Sequence, residues 1–184
     1  MPEKLATLFG IGYLPGAPGT WASLAAIPLA WALQALGGFW LVAPATVALG
    51  AVGYWATAQV LAERAAAPGD ALDLEWDDAD AAFAAPDTQD PSEIVIDELV
   101  GMLIALWPLS AGLTLIGAEW HVWPWPGWVL GFLLFRFFDI VKPPPVSWAE
   151  RAPGALGVML DDIVAGALTA LIALLAAGIA HGRF

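Results

Sequence analysis

VMLDDIVAGALTALIALLAAGI, residues 158–179, decides how the chain is read. It has the roughly 20 apolar residues that a helix needs to cross a bilayer core. Asp161 and Asp162 stand side by side near its start, where hydrocarbon should be. Ionisable residues inside membrane helices are costly, so each marks a functional candidate. Four other apolar segments accompany this one, at about 20–36, 39–61, 94–116 and 125–140. They are long and do not alternate, which argues against strands. Pro28, Pro44 and Pro108 fall inside three of them and predict bends. The expected fold is therefore all-α: a multi-helical integral membrane protein with about four to five membrane-embedded helices, forming one domain over residues 1–184.

Composition agrees. The chain is 60% hydrophobic and 13% charged, against roughly 45–50% and 25% in soluble domains. Its 11 Trp residues suit the lipid–water boundary. Cysteine is absent, so any metal must sit on oxygen or nitrogen ligands. A net charge of -12 argues against nucleic acid as partner. Part of that acidity is local. Asp70, Asp73, Glu75, Asp77, Asp78, Asp80, Asp87 and Asp90 form a run without Lys or Arg, which reads as a solvated acidic insert at about 65–92. The glycine- and proline-broken start after Lys4 does not read as a cleavable signal peptide.

Counting five spans from the N-terminus places Lys4, Arg64, Lys142 and Arg151 on one side and Arg183 on the other. The positive-inside rule makes the first side cytoplasmic. Four polar patches gather on that side: Thr20 and Ser23; Glu93, Asp97 and Glu98; Arg136, Asp139 and Lys142; Asp161 and Asp162. Glu93 and Asp97 are four apart and share a helix face. Arg136, Asp139 and Lys142 step by three, as a plus, minus, plus stripe. Gly166, four residues after Asp162, would let another helix approach just below the carboxylates.

So many carboxylates beside two cations suit a hard divalent cation such as Mg²⁺ together with a substrate phosphate. Without a metal the carboxylates would repel one another. Blander roles exist for some of them. Arg136 and Asp139 could form an intrahelical ion pair. Glu93 could complement a helix N-terminus that Ser92 caps. Thr20 and Ser23 could be helix-start hydrogen-bonding residues. Neither a Gly-rich phosphate loop nor a Ser/His/Asp triad is present, since His121 and His181 fall on the opposite side.

Four stretches, PGAPGTWASLAAIP (15–28), EIVIDELVGM (93–102), FRFFDIVKPPPVSW (135–148) and GALGVMLDDIVAG (154–166), resemble the phosphatidylglycerophosphatase A family in order and spacing. The long insert at about 65–92 departs from the compact family pattern. The resemblance implies a bacterial inner-membrane enzyme, Mg²⁺-dependent, that hydrolyses phosphatidylglycerophosphate to phosphatidylglycerol and phosphate. It implies functional roles for Asp97, Glu98, Arg136, Asp139, Lys142, Asp161 and Asp162. The expected division of labour gives the metal to Asp97, Glu98, Asp161 and Asp162. Asp139 becomes a further ligand or a general base. Arg136 and Lys142 bind the substrate phosphate, assisted by Thr20 and Ser23. Water attacks phosphorus in line, or one Asp serves as covalent nucleophile. Two other functions compete with this one: a small cation or proton transporter built on intramembrane carboxylates, and a phosphotransferase acting on another lipid headgroup.

Overall fold

A computed structural model describes residues 1–66, 92–119 and 121–180. The acidic run, Trp120, His181 and Arg183 lie outside the described residues. The helices are α1 (Pro2–Ala6), α2 (Pro18–Gly37), α3 (Phe39–Ala66), α4 (Ile96–Ala105), α5 (Trp107–Leu115), α6 (Trp125–Val141), α7 (Val146–Ala149) and α8 (Ala155–Ala180), with a 3-10 segment at Leu8–Tyr13. No strand occurs among the described residues.

Local chemistry explains most boundaries. Pro18 opens α2, where its missing N–H costs nothing. Gly38 ends that helix with φ +63, a left-handed turn that favours glycine. Pro28 and Pro44 are absorbed within α2 and α3 without ending them. The third apolar segment corrects the sequence reading. It is not one bent helix over 94–116 but two short helices, α4 and α5, meeting at about 40°. The break falls at Leu106, before Pro108 rather than at it. Pro108 has no N–H for the carbonyl of Ile104, and its ring would clash there, so α4 stops first.

Three helices, α2, α3 and α8, are long and apolar enough to cross a membrane, and the bent α4–α5 pair makes a fourth. α6 is shorter. Its 17 residues give about 26 Å at 1.5 Å per residue. Outward-facing apolar side chains need a nonaqueous neighbour. Leu171, Leu174, Leu175 and Ile179 on α8, and Trp40 and Val47 on α3, are such side chains. The protein is a multi-helical membrane bundle.

α4 and α8 form its centre. Gly101 and Gly166 meet at their crossing: a Cβ on Gly166 would lie 2.3 Å from the Gly101 carbonyl oxygen, and one on Gly101 would lie 2.6 Å from that of Asp162. Small residues permit this approach. One apolar core packs Ala26, Ala30, Met102, Leu103, Phe135 and Ala165 between α2, α4, α6 and α8. A second joins Ala6, Ala56, Val60, Ile96, Val100 and Met159, and ties α1 to the bundle.

The two ends of the bundle differ. At one end the N–H of Val95 donates to the Ala6 carbonyl at 3.0 Å, and Arg64 pairs with Glu93 at 2.5 Å. This contact replaces the capping role considered for Glu93 and Ser92, since α4 begins only at Ile96. The Arg64 hydrogen bond holds the Glu93 carboxyl below the usual carboxylate range. At the other end the polar contacts between helices are neutral, with an exposed His121–Glu119 pair in the connection beyond them. Ser110 Oγ donates to Gln34 Oε1 at 2.5 Å, Gln34 Nε2 donates to Thr114 Oγ1 at 3.1 Å, and Thr114 Oγ1 also accepts the N–H of Phe39 at 2.8 Å. That network fastens α5 to the α2–α3 turn.

Candidate active site

The carboxylates arrive on the first turn of α4, on the last turn of α6 and near the start of α8. Oxygens of Asp97, Glu98 and Asp162 lie within 4.8 Å of one another. Asp97 and Asp162 are buried, with 7% and 3% exposure. Among the described residues, Glu98 Oε2 and Asp162 Oδ1 are buried without a hydrogen-bond partner. Three carboxylates packed this closely repel one another in low dielectric, and an unpaired buried charge is costly. A cation between them would satisfy the orphaned oxygens, and an all-oxygen donor set suits a hard ion such as Mg²⁺. The residues fit the metal.

Asp161 stands apart from this trio. Its Oδ2 accepts a hydrogen bond from Lys142 Nζ at 2.8 Å, and its Oδ1 accepts the N–H of Asp162 at 3.0 Å. Lys142 Nζ also donates to Glu150 Oε1 at 2.5 Å. Burial opposes the charge on Lys142, but the hydrogen bonds to Asp161 and Glu150 outweigh it and raise its pKa. The backbone of Lys142 is left-handed, φ 46, and caps α6 through a hydrogen bond to the Phe138 carbonyl. Such a conformation costs a non-glycine residue roughly 1–3 kcal/mol. The Pro143–Pro145 run that follows cannot continue the helix.

Asp139 and Arg136 form the intrahelical ion pair foreseen as one alternative, with Nη1 2.5 Å from Oδ2. Asp97, Glu98, Asp139, Lys142, Asp161 and Asp162 line one cavity of about 200 Å³, rimmed by Ser92, Ile94 and Val158. Arg136, Thr20 and Ser23 are not among its lining residues. Ser23 is buried and its hydroxyl donates to the Gly19 carbonyl at 2.8 Å, the helix-bonding alternative. Thr20 is partly buried one residue after Gly19.

Gly19 is the contribution of the PGAPGT stretch that residue chemistry alone did not reveal. A Cβ there would lie 2.0 Å from Glu98 Oε1. Glycine at this position makes room for the Glu98 carboxylate beside α2. Glu150 was likewise missed, since a polar residue in a connecting segment carries no signal of the lysine it meets. We expect Gly19→Ala to leave the fold intact, because the atom in its way is the far end of a flexible side chain. It should nonetheless push Glu98 out of the trio and lower kcat/KM by about a hundredfold, the scale of a misplacement near 1 Å. Kinetics alongside a thermal melt check this. Unchanged kinetics would show that Glu98 has no fixed place in the chemistry.

Comparison with known proteins places this geometry in a family. A family model described as phosphatidylglycerophosphatase A matches residues 4–67 and 71–177. A Bacteroides thetaiotaomicron protein named as a putative phosphatidylinositol-3-phosphatase is 34% identical over 90% of this chain and 87% of its own. The proteins named phosphatidylglycerophosphatase A from Escherichia coli K12 and Haemophilus influenzae are 32% and 30% identical, covering 90% and 91% of this chain and 77% and 83% of theirs. No solved structure matches. With its four motif stretches inside the matched residues, the chain belongs to the phosphatidylglycerophosphatase A family of phosphoric monoester hydrolases.

Proposed function

We propose that this protein hydrolyses phosphatidylglycerophosphate to phosphatidylglycerol and phosphate at the cytoplasmic face of a bacterial inner membrane, using Mg²⁺ held by Asp97, Glu98 and Asp162. The observation that carries the reading is the buried carboxylate trio with its two unpartnered oxygens, set in one cavity with Lys142. Mg²⁺, when bound, polarises the phosphoryl oxygens and offsets their charge. Lys142, steadied by Asp161 and Glu150, binds a non-bridging oxygen of the terminal phosphate. Asp161 thus acts through Lys142, positioning it. Asp139 lines the same cavity, and its Oδ2 faces Arg136. Its Oδ1 accepts a proton from the water that attacks phosphorus. The bond from phosphorus to the glycerol oxygen breaks opposite that water, and the proton passes to the leaving oxygen.

The orientation rests on charge. Lys4, Arg64, Lys142 and Arg151 lie in α1, at the end of α3, at the end of α6 and before α8, which is the end that holds the cavity. By the positive-inside rule that end faces the cytoplasm.

The test is phosphate release by the purified protein in detergent–lipid micelles. Phosphatidylglycerophosphate should be hydrolysed, chelation should abolish the reaction, and Mg²⁺ should restore it. Full activity after exhaustive chelation overturns the metal assignment. A preference for phosphatidylinositol 3-phosphate, the class named for the Bacteroides relative, overturns the substrate.

A further inference from the structure

Phosphatidylglycerophosphate carries two phosphates of different chemistry. One is the terminal monoester that is cleaved. The other is a diester, one glycerol closer to the diacylglycerol and therefore deeper toward the bilayer. Inorganic phosphate resembles only the first, and phosphatidylglycerol retains only the second.

The two cations on α6 are placed differently. Lys142 lines the carboxylate cavity and is held by Asp161 and Glu150. Arg136 does not line it. Its backbone lies six residues earlier on the helix, about 9 Å farther into the bundle at 1.5 Å per residue, and its side chain reaches back to Asp139 at the cavity wall. Its side chain is only 15% exposed. Arg136 Nη1 approaches Asp139 Oδ2 to 2.5 Å, yet among the described residues neither Nε nor Nη1 finds an acceptor in hydrogen-bonding geometry. A buried guanidinium with unspent donors is a costly arrangement in a fold, and its planar fork matches two oxygens of one phosphate. The unspent donors thus sit beside the carboxylate cavity but outside its lining, with Asp139 between, where a second phosphate of the same substrate would meet them.

The geometry points to Arg136 as the residue that recognises the membrane-proximal phosphodiester of the substrate, while the terminal phosphate is left to Lys142 and the carboxylate trio. This assignment rests on the phosphatidylglycerophosphate reading above. It makes Arg136 a specificity-determining residue. It also removes Arg136 from the binding of the phosphate that leaves, the role it shares with Lys142 in the sequence reading.

The two reaction products separate the sites. Wild type, Arg136→Gln and Arg136→Lys, each in uncharged detergent with Mg²⁺, are titrated calorimetrically with a short-chain phosphatidylglycerol and with inorganic phosphate. Arg136→Gln should weaken phosphatidylglycerol tenfold or more and leave inorganic phosphate within twofold. Arg136→Lys, which keeps the charge without the fork, should fall between. A proportional loss of both ligands, or unchanged phosphatidylglycerol binding, overturns the assignment. The titration needs no turnover, so a wild type that binds both products but releases no phosphate from phosphatidylglycerophosphate sinks the proposed function instead.

Discussion

Asp162→Asn should lower the hydrolytic rate at ordinary Mg²⁺ by on the order of a hundredfold, about 2.7 kcal/mol of barrier, and should recover part of that loss as Mg²⁺ is raised. Asparagine keeps the shape of the side chain and one oxygen but removes a charge from the trio, so the deficit lies in metal affinity. Lys142→Met should behave differently. Its missing contact is to substrate, so a loss of similar size should persist at saturating Mg²⁺. The Lys142 variant also leaves Asp161, which is 6% exposed, without its cation. Leaving a buried charge unpaired is strongly destabilising, so its melting temperature should fall as well. A Mg²⁺ titration of initial rates, with circular dichroism on both variants, decides the matter. Rescue of Lys142→Met by Mg²⁺, together with wild-type Mg²⁺ dependence in Asp162→Asn, would reverse the two roles.

Gly166→Ala should be a severely damaging single methyl at the centre of the bundle. The added carbon would lie 2.3 Å from the Gly101 carbonyl oxygen and 3.0 Å from its carbonyl carbon. Neither can swing aside, because both belong to the backbone of α4. The helices must separate, and overpacking of this kind costs roughly 1–3 kcal/mol or more. At roughly 2–4 °C per kcal/mol for a chain of this size, the melting temperature should drop by about 5–10 °C. Activity should fall with it, since Asp97 and Asp162 are held on the two helices being parted. Gly112→Ala is the control. Nothing lies within 4 Å of a Cβ at that position in α5, and alanine is the better helix former. Its melting temperature should hold or rise. Equal losses in both variants would mean that the α4–α8 crossing does not set stability.

The sequence reveals helices here more readily than their contacts. The five apolar segments became helices because hydrocarbon leaves the backbone no partner but itself. The adjacent acids were legible for the same reason, since paired carboxylates at membrane depth have few structural excuses. The small residue after Asp162 was also readable: Gly166 marks the close crossing expected below the carboxylates. What residue order does not encode is which oxygen meets which nitrogen. Asp161 and Asp162 are neighbours in the chain, yet helical geometry turns them about 100° apart, one toward Lys142 and the other toward Asp97 and Glu98. Gly19 looked like part of a turn, and only the packing of α2 on α4 shows the carboxylate it admits. Leu106 gave no sign that α4 ends there, because the cause sits two residues later in Pro108.

The bundle's two unlike ends bear on the transporter reading. Among the described residues, Arg136 is the deepest charged side chain in the helices, and beyond it no Asp, Glu, Lys or Arg occurs in them before the far end, where Gln34, Ser110 and Thr114 satisfy one another without charge. An ion that reaches the cavity meets no relay beyond it. The interior behaves electrically as an insulator with a conducting well sunk into one face. A cell can keep several acids at that depth without short-circuiting the gradient that the same membrane maintains.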